Sequence, residues 1–149
     1  MHLSKFSDYA LRAVLLAASR PGTFVTIKET AEFYAISQAH LKKVIRHLAQ
    51  RGYVDAVRGH GGGFALARPA SEINLGALLR DTEPDFALVE CFRAGNACRI
   101  TRGCHLPGVF SQALGAFWAV LDHHTLHDVV VAPEMFGPLV AMPDRGARG

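Results

Sequence analysis

The order of helix and turn signals over residues 26–67 constrains the fold of this chain most strongly. Thr26 and Glu29 have the spacing of a capping box, which predicts the start of a short helix. A tight turn follows, after which Ser37 is expected to cap a second helix. Two helices joined by so short a turn predict a helix-turn-helix at about 26–51.

The second helix is amphipathic, and a hairpin follows it. Apolar residues recur at intervals of three and four from Leu41 to Leu48, and Gly52 favours the left-handed conformation that ends a helix. Two apolar stretches around the glycine-rich segment 59–63 then predict a β-hairpin, the wing, at about 53–67. The predicted fold class is mainly α with a small β-hairpin wing, a winged helix-turn-helix.

The outward face of the second helix and the wing carry the residues that we expect to contact double-stranded operator DNA. Glutamine can recognise adenine edges, whereas lysine and arginine bind phosphates and guanine. A lone basic helix is more often only a solvated surface, but here the elements occur in the order that DNA-binding domains use. The predicted DNA contacts are Lys28, Ser37, Gln38, His40, Lys42, Lys43, Arg46, Arg58 and His60.

The chain divides into four predicted parts. The winged domain covers residues 1–84, and an irregular loop at 85–105 carries all three cysteines. A long apolar stripe at helical spacing then predicts dimerisation helices over 106–131, because a second copy of the chain is the simplest cover for it. Residues 132–149 are expected to form a flexible tail.

Charge is distributed unevenly between the two halves. Residues 1–68 contain ten Lys and Arg against four Asp and Glu, whereas residues 69–149 contain six against nine. A basic half beside an acidic half predicts one surface for a polyanion. The longest apolar run, residues 13–18, is too short to span a bilayer, and the charged residues from Lys5 onward do not resemble a signal peptide. We therefore expect a cytoplasmic protein without a membrane partner.

The three cysteines lie close together in the sequence. Cys91, Cys98 and Cys104 are an odd number, which disfavours a disulfide framework. Their gaps of six and five residues are wider than the knuckles of structural zinc sites, and a loop containing Gly95 and Gly103 can wrap a larger group. The spacing favours an iron–sulfur cluster over zinc or over buried thiols that bind nothing.

Three thiolates leave such a cluster one ligand short. His105, Asp8 or another carboxylate or histidine are candidates from the residues alone. Asp8 has a competing role, since Arg12 lies one helical turn later and could form an ion pair with it. His123 and His127 have the spacing of zinc ligands on a helix, but a solvated helix end is the favoured interpretation of that pair.

Several segments together resemble a known family. Residues 4–12, 58–66 and 91–104 are similar to the winged-helix iron–sulfur repressors that sense nitric oxide, the NsrR group, whose family also includes the IscR group. The likeness continues through residues 116–129 and covers about residues 1–131.

This resemblance implies a homodimeric repressor that binds operator DNA while its cluster is intact and releases DNA when nitric oxide nitrosylates the cluster. It implies Cys91, Cys98 and Cys104 as ligands, and it assigns the fourth position to Asp8 of the other subunit. In the IscR group the fourth ligand is a histidine three residues after the last cysteine, where this chain has Pro107. A four-iron cluster is favoured and a two-iron cluster is possible. The six-residue gap is longer than is common in the nitric-oxide group.

Three alternatives remain open at this point. The chain could be an iron- or redox-sensing cluster regulator of the IscR type. It could be a thiol redox enzyme using Cys91 or Cys104, although no C-x-x-C motif is present and we do not predict an enzyme. It could also be a DNA-binding protein stabilised by structural zinc.

Overall fold

The computed structural model describes residues 2–59 and 62–139. Within these ranges the helices are α1 Lys5–Ala18, α2 Ile27–Tyr34, α3 Gln38–Gln50, α4 Leu75–Thr82 and α5 Leu106–Asp122, and the strands are β1 Val54–Ala56 and β2 Phe64–Leu66. Short 3-10 segments lie at Ala70–Glu72, Glu90–Phe92, Thr101–Gly103, Leu126–Val129 and Pro133–Leu139. The predicted winged helix-turn-helix is confirmed.

The helix-turn-helix begins at the predicted capping box and turns at a strained residue. Thr26 Oγ1 accepts from the Glu29 amide at 3.1 Å, and Glu29 Oε2 accepts from the Thr26 amide at the same distance. Ala35 has φ 52°, in the left-handed region that favours glycine. Ser37 occupies the N-cap position of α3 as predicted, but its side chain makes no capping hydrogen bond. The preceding turn sets the backbone there, with the Ile36 amide bonded to the Ala31 carbonyl at 2.8 Å.

The core lies between α1, α3 and the wing. Phe64 at the start of β2 is fully buried and pairs with Ala56 of β1 in an antiparallel register. It also exchanges two backbone hydrogen bonds with Val25, so residue 25 extends the hairpin on its other side. A Cβ at Gly63 would overlap the backbone of Val25, and only glycine allows this close approach.

Helix α5 lies outside this core. None of its residues is buried, and Leu106, Val109 and Val120 have exposed fractions of 58%, 60% and 60%. The segment that follows it is attached to the domain through Leu126, which is fully buried and whose amide donates to the Ile73 carbonyl at 2.7 Å. An exposed apolar helix face is the feature that we predicted for dimerisation.

The segment Pro133–Leu139 packs back onto the winged domain. Phe136 is only 5% exposed, and its ring lies 5.7 Å from that of Phe33 on α2. This packed segment lies within the range 132–149, where we expected a flexible tail. The sequence did not predict the packing, because a single aromatic anchor produces no periodic pattern. Residues 140–149 lie outside the described residues. In the part of the chain that the structure describes, no helix combines the length and hydrophobicity that crossing a membrane requires.

Candidate DNA interface and cysteine loop

The predicted DNA contacts on α3 share one solvent-facing side of the helix. The opposite side buries Leu41, Val44, Ile45 and Leu48. The exposed members on α3 are Gln38, His40, Lys42, Lys43 and Arg46. Helix α3 therefore has one face held in the core and one polar, basic face available to a ligand.

The remaining predicted DNA contacts lie on neighbouring elements. Lys28 on α2, Ser37 before α3 and Arg58 in the wing are all exposed. Lys28 and Glu32 are 4.0 Å apart with side chains 72% and 65% exposed, so this ion pair contributes little and does not hold the lysine in place. His60 lies outside the described residues.

The cysteine loop holds its three thiols at or near the surface. Cys91 and Cys104 are half-buried, Cys98 is exposed, and all three are free cysteines. Cys91 lies in the 3-10 segment Glu90–Phe92, and Cys104 lies two residues before α5. The loop thus carries three free thiols between the winged domain and the exposed helix.

Side-chain hydrogen bonds fix the backbone around Cys98. Asn96 Oδ1 accepts from the Cys98 amide at 2.9 Å, and Thr101 Oγ1 donates to the Cys98 carbonyl at 2.8 Å. Asn96 Nδ2 in turn donates to Thr101 Oγ1 at 2.8 Å. The most exposed of the three thiols is therefore on a locally ordered turn.

The three thiols are of the donor type that suits an iron–sulfur cluster, but in the described part of one chain they do not converge on a metal site. Across residues 2–59 and 62–139, no three His, Cys, Asp or Glu side chains converge closely enough to hold a metal ion. This holds for the histidines near the end of α5 as well. Three thiols on one loop match the donor type that iron–sulfur clusters use.

Asp8 faces Arg12 rather than the cysteines in the single chain. Its carboxylate accepts a hydrogen bond from Arg12 Nε at 3.0 Å, and its other oxygen lies 2.9 Å from Arg12 Nη2 in an ion pair. The competing ion pair considered from the sequence is therefore present. With both side chains about two-fifths exposed, at 42% and 41%, the pair is weak enough to open.

Glu83 also fixes the turn of α1 that carries Asp8, and sequence reasoning missed it. Its Oε2 accepts from the Ser4 amide at 2.8 Å and from the buried Ser7 hydroxyl at 2.7 Å. Ser4 itself caps α1 by accepting from the Ser7 amide. No local sequence signal could have shown this contact, since 76 residues separate Ser7 from Glu83.

The fold and the exposed basic helix define a class: a winged helix-turn-helix DNA-binding regulator. The family model Rrf2, described as an iron-dependent transcriptional regulator, matches residues 3–132, and the chain belongs to this family. It is 47% identical to the HTH-type transcriptional regulator NsrR of Bacillus subtilis (strain 168) over 97% of this chain and 100% of that protein. It is also 47% identical to NsrR of Oceanobacillus iheyensis, over 87% of this chain and 90% of that one.

A solved structure agrees with these relatives. The chain is similar to IscR of T. potens, with a TM-score of 0.64 and 25% identity, covering 100% of this chain and 94% of that one. The resemblance to the NsrR group is confirmed, and the chain is a transcriptional repressor of a DNA-binding family rather than an enzyme.

Proposed function

We propose that this chain is a homodimeric repressor that binds operator DNA while it holds an iron–sulfur cluster and releases DNA when nitric oxide attacks that cluster. The observation that carries the proposal is the loop with three free, accessible thiols in a chain 47% identical to proteins named NsrR. Because the proposed target is DNA, the proposal includes a cytoplasmic location.

The ligands that we assign are Cys91, Cys98 and Cys104, with Asp8 contributed by the second subunit. A bound cluster supplies iron that nitric oxide can ligate, most readily where a hard carboxylate rather than a soft thiolate completes the coordination. The protein contributes three sulfurs on a loop ordered by Asn96 and an oxygen on the first turn of α1. We favour a four-iron cluster.

The need for a second subunit follows from two features of one chain. Within the described part of one chain, the three thiols and the acids and histidines around them do not converge into a metal site. The apolar face of α5 is exposed in the single chain, and a second copy of the same face would cover it in a two-fold dimer. Ligation by Asp8 across the dimer would then tie each α1 to the other subunit's loop.

Cluster loading would control DNA binding through the separation of the two α3 helices. A dimeric helix-turn-helix protein must place its recognition helices about one DNA turn apart. We assign base and phosphate contacts to the exposed face of α3, with Gln38 and His40 toward bases and Lys42, Lys43 and Arg46 toward bases or phosphates. Lys28, Ser37, Arg58 and His60 would support them from the flanking elements.

Anaerobic purification followed by iron and sulfide counting tests the proposal. We expect wild type to be coloured, to contain both elements, and to shift an operator selected from random DNA only when loaded. Cys98→Ser should lose colour and DNA binding, whereas Ser71→Ala, on the exposed 3-10 segment Ala70–Glu72, should keep both. Iron-free wild type that binds DNA at full affinity would contradict the proposal.

A second candidate is an iron- or redox-sensing cluster regulator of the same family. The family description as iron-dependent and the structural likeness to IscR favour considering it. Titration of the loaded dimer separates the two: nitric oxide at stoichiometric amounts should release DNA in the first case, and only chelator or oxygen should do so in the second.

A further inference from the structure

The C-terminal end of α4 holds α5 through an ion pair. Arg80 Nη1 and Nη2 donate to the two carboxylate oxygens of Asp122 at 2.6 and 2.8 Å, a bidentate arrangement. The same guanidinium lies over the ring of Trp118, 4.1 Å from its centre. Gly76 leaves room for the pair, because a Cβ at that position would overlap an oxygen of Asp122.

Asp81, the residue after Arg80, forms a hydrogen bond with the C-terminal part of α3. The Asp81 carbonyl accepts from His47 Nε2 at 2.7 Å; the imidazole nitrogen must donate here, since a carbonyl oxygen cannot. The Asp81 carboxylate accepts from the Tyr53 hydroxyl at 2.7 Å and lies 3.4 Å from Arg51. Burial, and then this hydrogen bond, raise the pKa of Tyr53 to about 12.

The cysteine loop contacts Trp118 of α5 through the ring of Phe86. Phe86, at the start of the loop 85–105, packs edge-on against Trp118 with ring centres 4.4 Å apart. Trp118 therefore contacts both Phe86 and Arg80. A movement of the cysteine loop can therefore be transmitted to the Arg80–Asp122 ion pair through the contacts of Phe86 with Trp118 and of Trp118 with Arg80.

We propose that Arg80 and Asp81 are positioning residues that set the orientation of α3 relative to α5, and with it the half-site separation that the dimer accepts on DNA. These two residues are adjacent in sequence, and each contacts a different helix. Asp81 contacts the end of α3, which would enter the major groove, and Arg80 contacts α5, which would join the subunits. The inference rests on the proposed dimer and goes beyond it, because it names the residues that fix the geometry.

The alternative is that these contacts only stabilise the fold. A purely structural role predicts that weakening them lowers stability and affinity for every DNA site alike. A positioning role predicts a change in preference among sites that differ only in spacing, because a looser link lets the dimer adapt to separations that wild type rejects.

The test uses the anaerobically purified, cluster-loaded full chain. The wild-type operator selected from random DNA is synthesised again with one base pair inserted or removed between its half-sites, and binding is measured by fluorescence anisotropy. We expect Arg80→Gln and Gly76→Ala to reduce the preference for the original spacing by about fivefold or more. The added methyl group of Gly76→Ala would displace the Asp122 carboxylate from the ion pair, whereas alanine has a higher helix propensity than glycine in α4.

Two further variants sharpen the result. The exchange of Arg80→Asp with Asp122→Arg should restore part of the spacing preference that Arg80→Gln loses. Tyr53→Phe removes only the hydroxyl that donates a hydrogen bond to Asp81, and it should also reduce the preference for the original half-site spacing. The control Glu72→Gln, an exposed carboxylate on a 3-10 segment, should behave as wild type.

An unchanged spacing preference in Arg80→Gln, Gly76→Ala and Tyr53→Phe would overturn the positioning role, even with affinity reduced for all sites. Failure of the proposed function is visible separately: wild type would sediment as a monomer, or it would bind DNA regardless of cluster loading.

Discussion

Replacing Asp8 by asparagine tests its proposed role as a cluster ligand across the dimer against its observed role as an ion-pair partner of Arg12. The Asp8–Arg12 pair is an exposed i,i+4 pair, so its loss costs the fold only about 0.3–0.5 kcal/mol. The lost interaction with the α1 dipole adds about 0.3–1 kcal/mol. We therefore expect the melting temperature of cluster-free Asp8→Asn to fall by only about 1–6 °C.

The effect on the cluster should be much larger than the effect on the fold. Even residues that only support metal ligands change metal affinity by about 10–100-fold, so loss of a ligand should exceed the lower limit of that range. We expect Asp8→Asn to lose its visible absorbance to a chelator more than about tenfold faster than wild type does. The assay is an anaerobic decay measurement on protein loaded to the same iron content.

Arg12→Ala is the matched comparison. It removes the same ion pair but leaves the carboxylate free to ligate, so cluster decay should change by no more than about twofold. Glu72→Gln should decay as wild type does. Decay of Asp8→Asn at the wild-type rate would refute ligation by Asp8, and a loss in Arg12→Ala equal to that in Asp8→Asn would show that the ion pair, not ligation, carries the effect.

Three other predictions concern the turn, the wing and the DNA face. Ala35→Gly should raise stability to urea by about 0.5 kcal/mol, because glycine relieves the left-handed backbone while adding some entropy to the unfolded chain; a loss of stability would contradict the assignment of strain. Because the pKa of Tyr53 is raised from 10.0 to about 12, the folded state keeps a proton that the unfolded chain releases, so stability should fall as pH rises from about 10 through 12. That alkaline loss should be smaller in Tyr53→Phe when unfolding is followed by circular dichroism, and an identical pH profile would show that Tyr53 is not its source. On the DNA face, Gln38→Ala should relax the base preference at one operator position by about 1–3 kcal/mol, whereas Lys43→Ala should weaken all sites alike and lower the salt slope by about one; the reverse pattern in a salt titration would exchange the two assignments.

Local signals in the sequence were enough for the winged domain. The capping box at Thr26, the apolar repeat along α3 and Gly52 after it each act within a few residues, so the elements they predict appear at the expected places. Gly52 has φ 72°, as a left-handed helix stop requires. Ser37 was predicted as a cap from residue type alone, but the tight turn before it determines the backbone.

The contacts between elements could not be predicted in the same way. Arg80 and Asp122 are 42 residues apart, and nothing in either neighbourhood marks them as partners. Phe136 is the one aromatic residue in the segment Pro133–Leu139, so its packing against Phe33 left no periodic pattern in the sequence. The candidate cluster site is harder still: its thiols lie on one loop, and its proposed fourth ligand belongs to a second chain.

The most direct measurement of the central claim follows two signals in one anaerobic sample of the loaded dimer on fluorescently labelled operator DNA. Nitric oxide is added in steps while visible absorbance reports the cluster and anisotropy reports bound DNA. Cluster-gated repression predicts that both signals fall together and that Cys98→Ser shows neither. DNA that stays bound after the absorbance is gone, or a colourless protein that binds the operator fully, would contradict it.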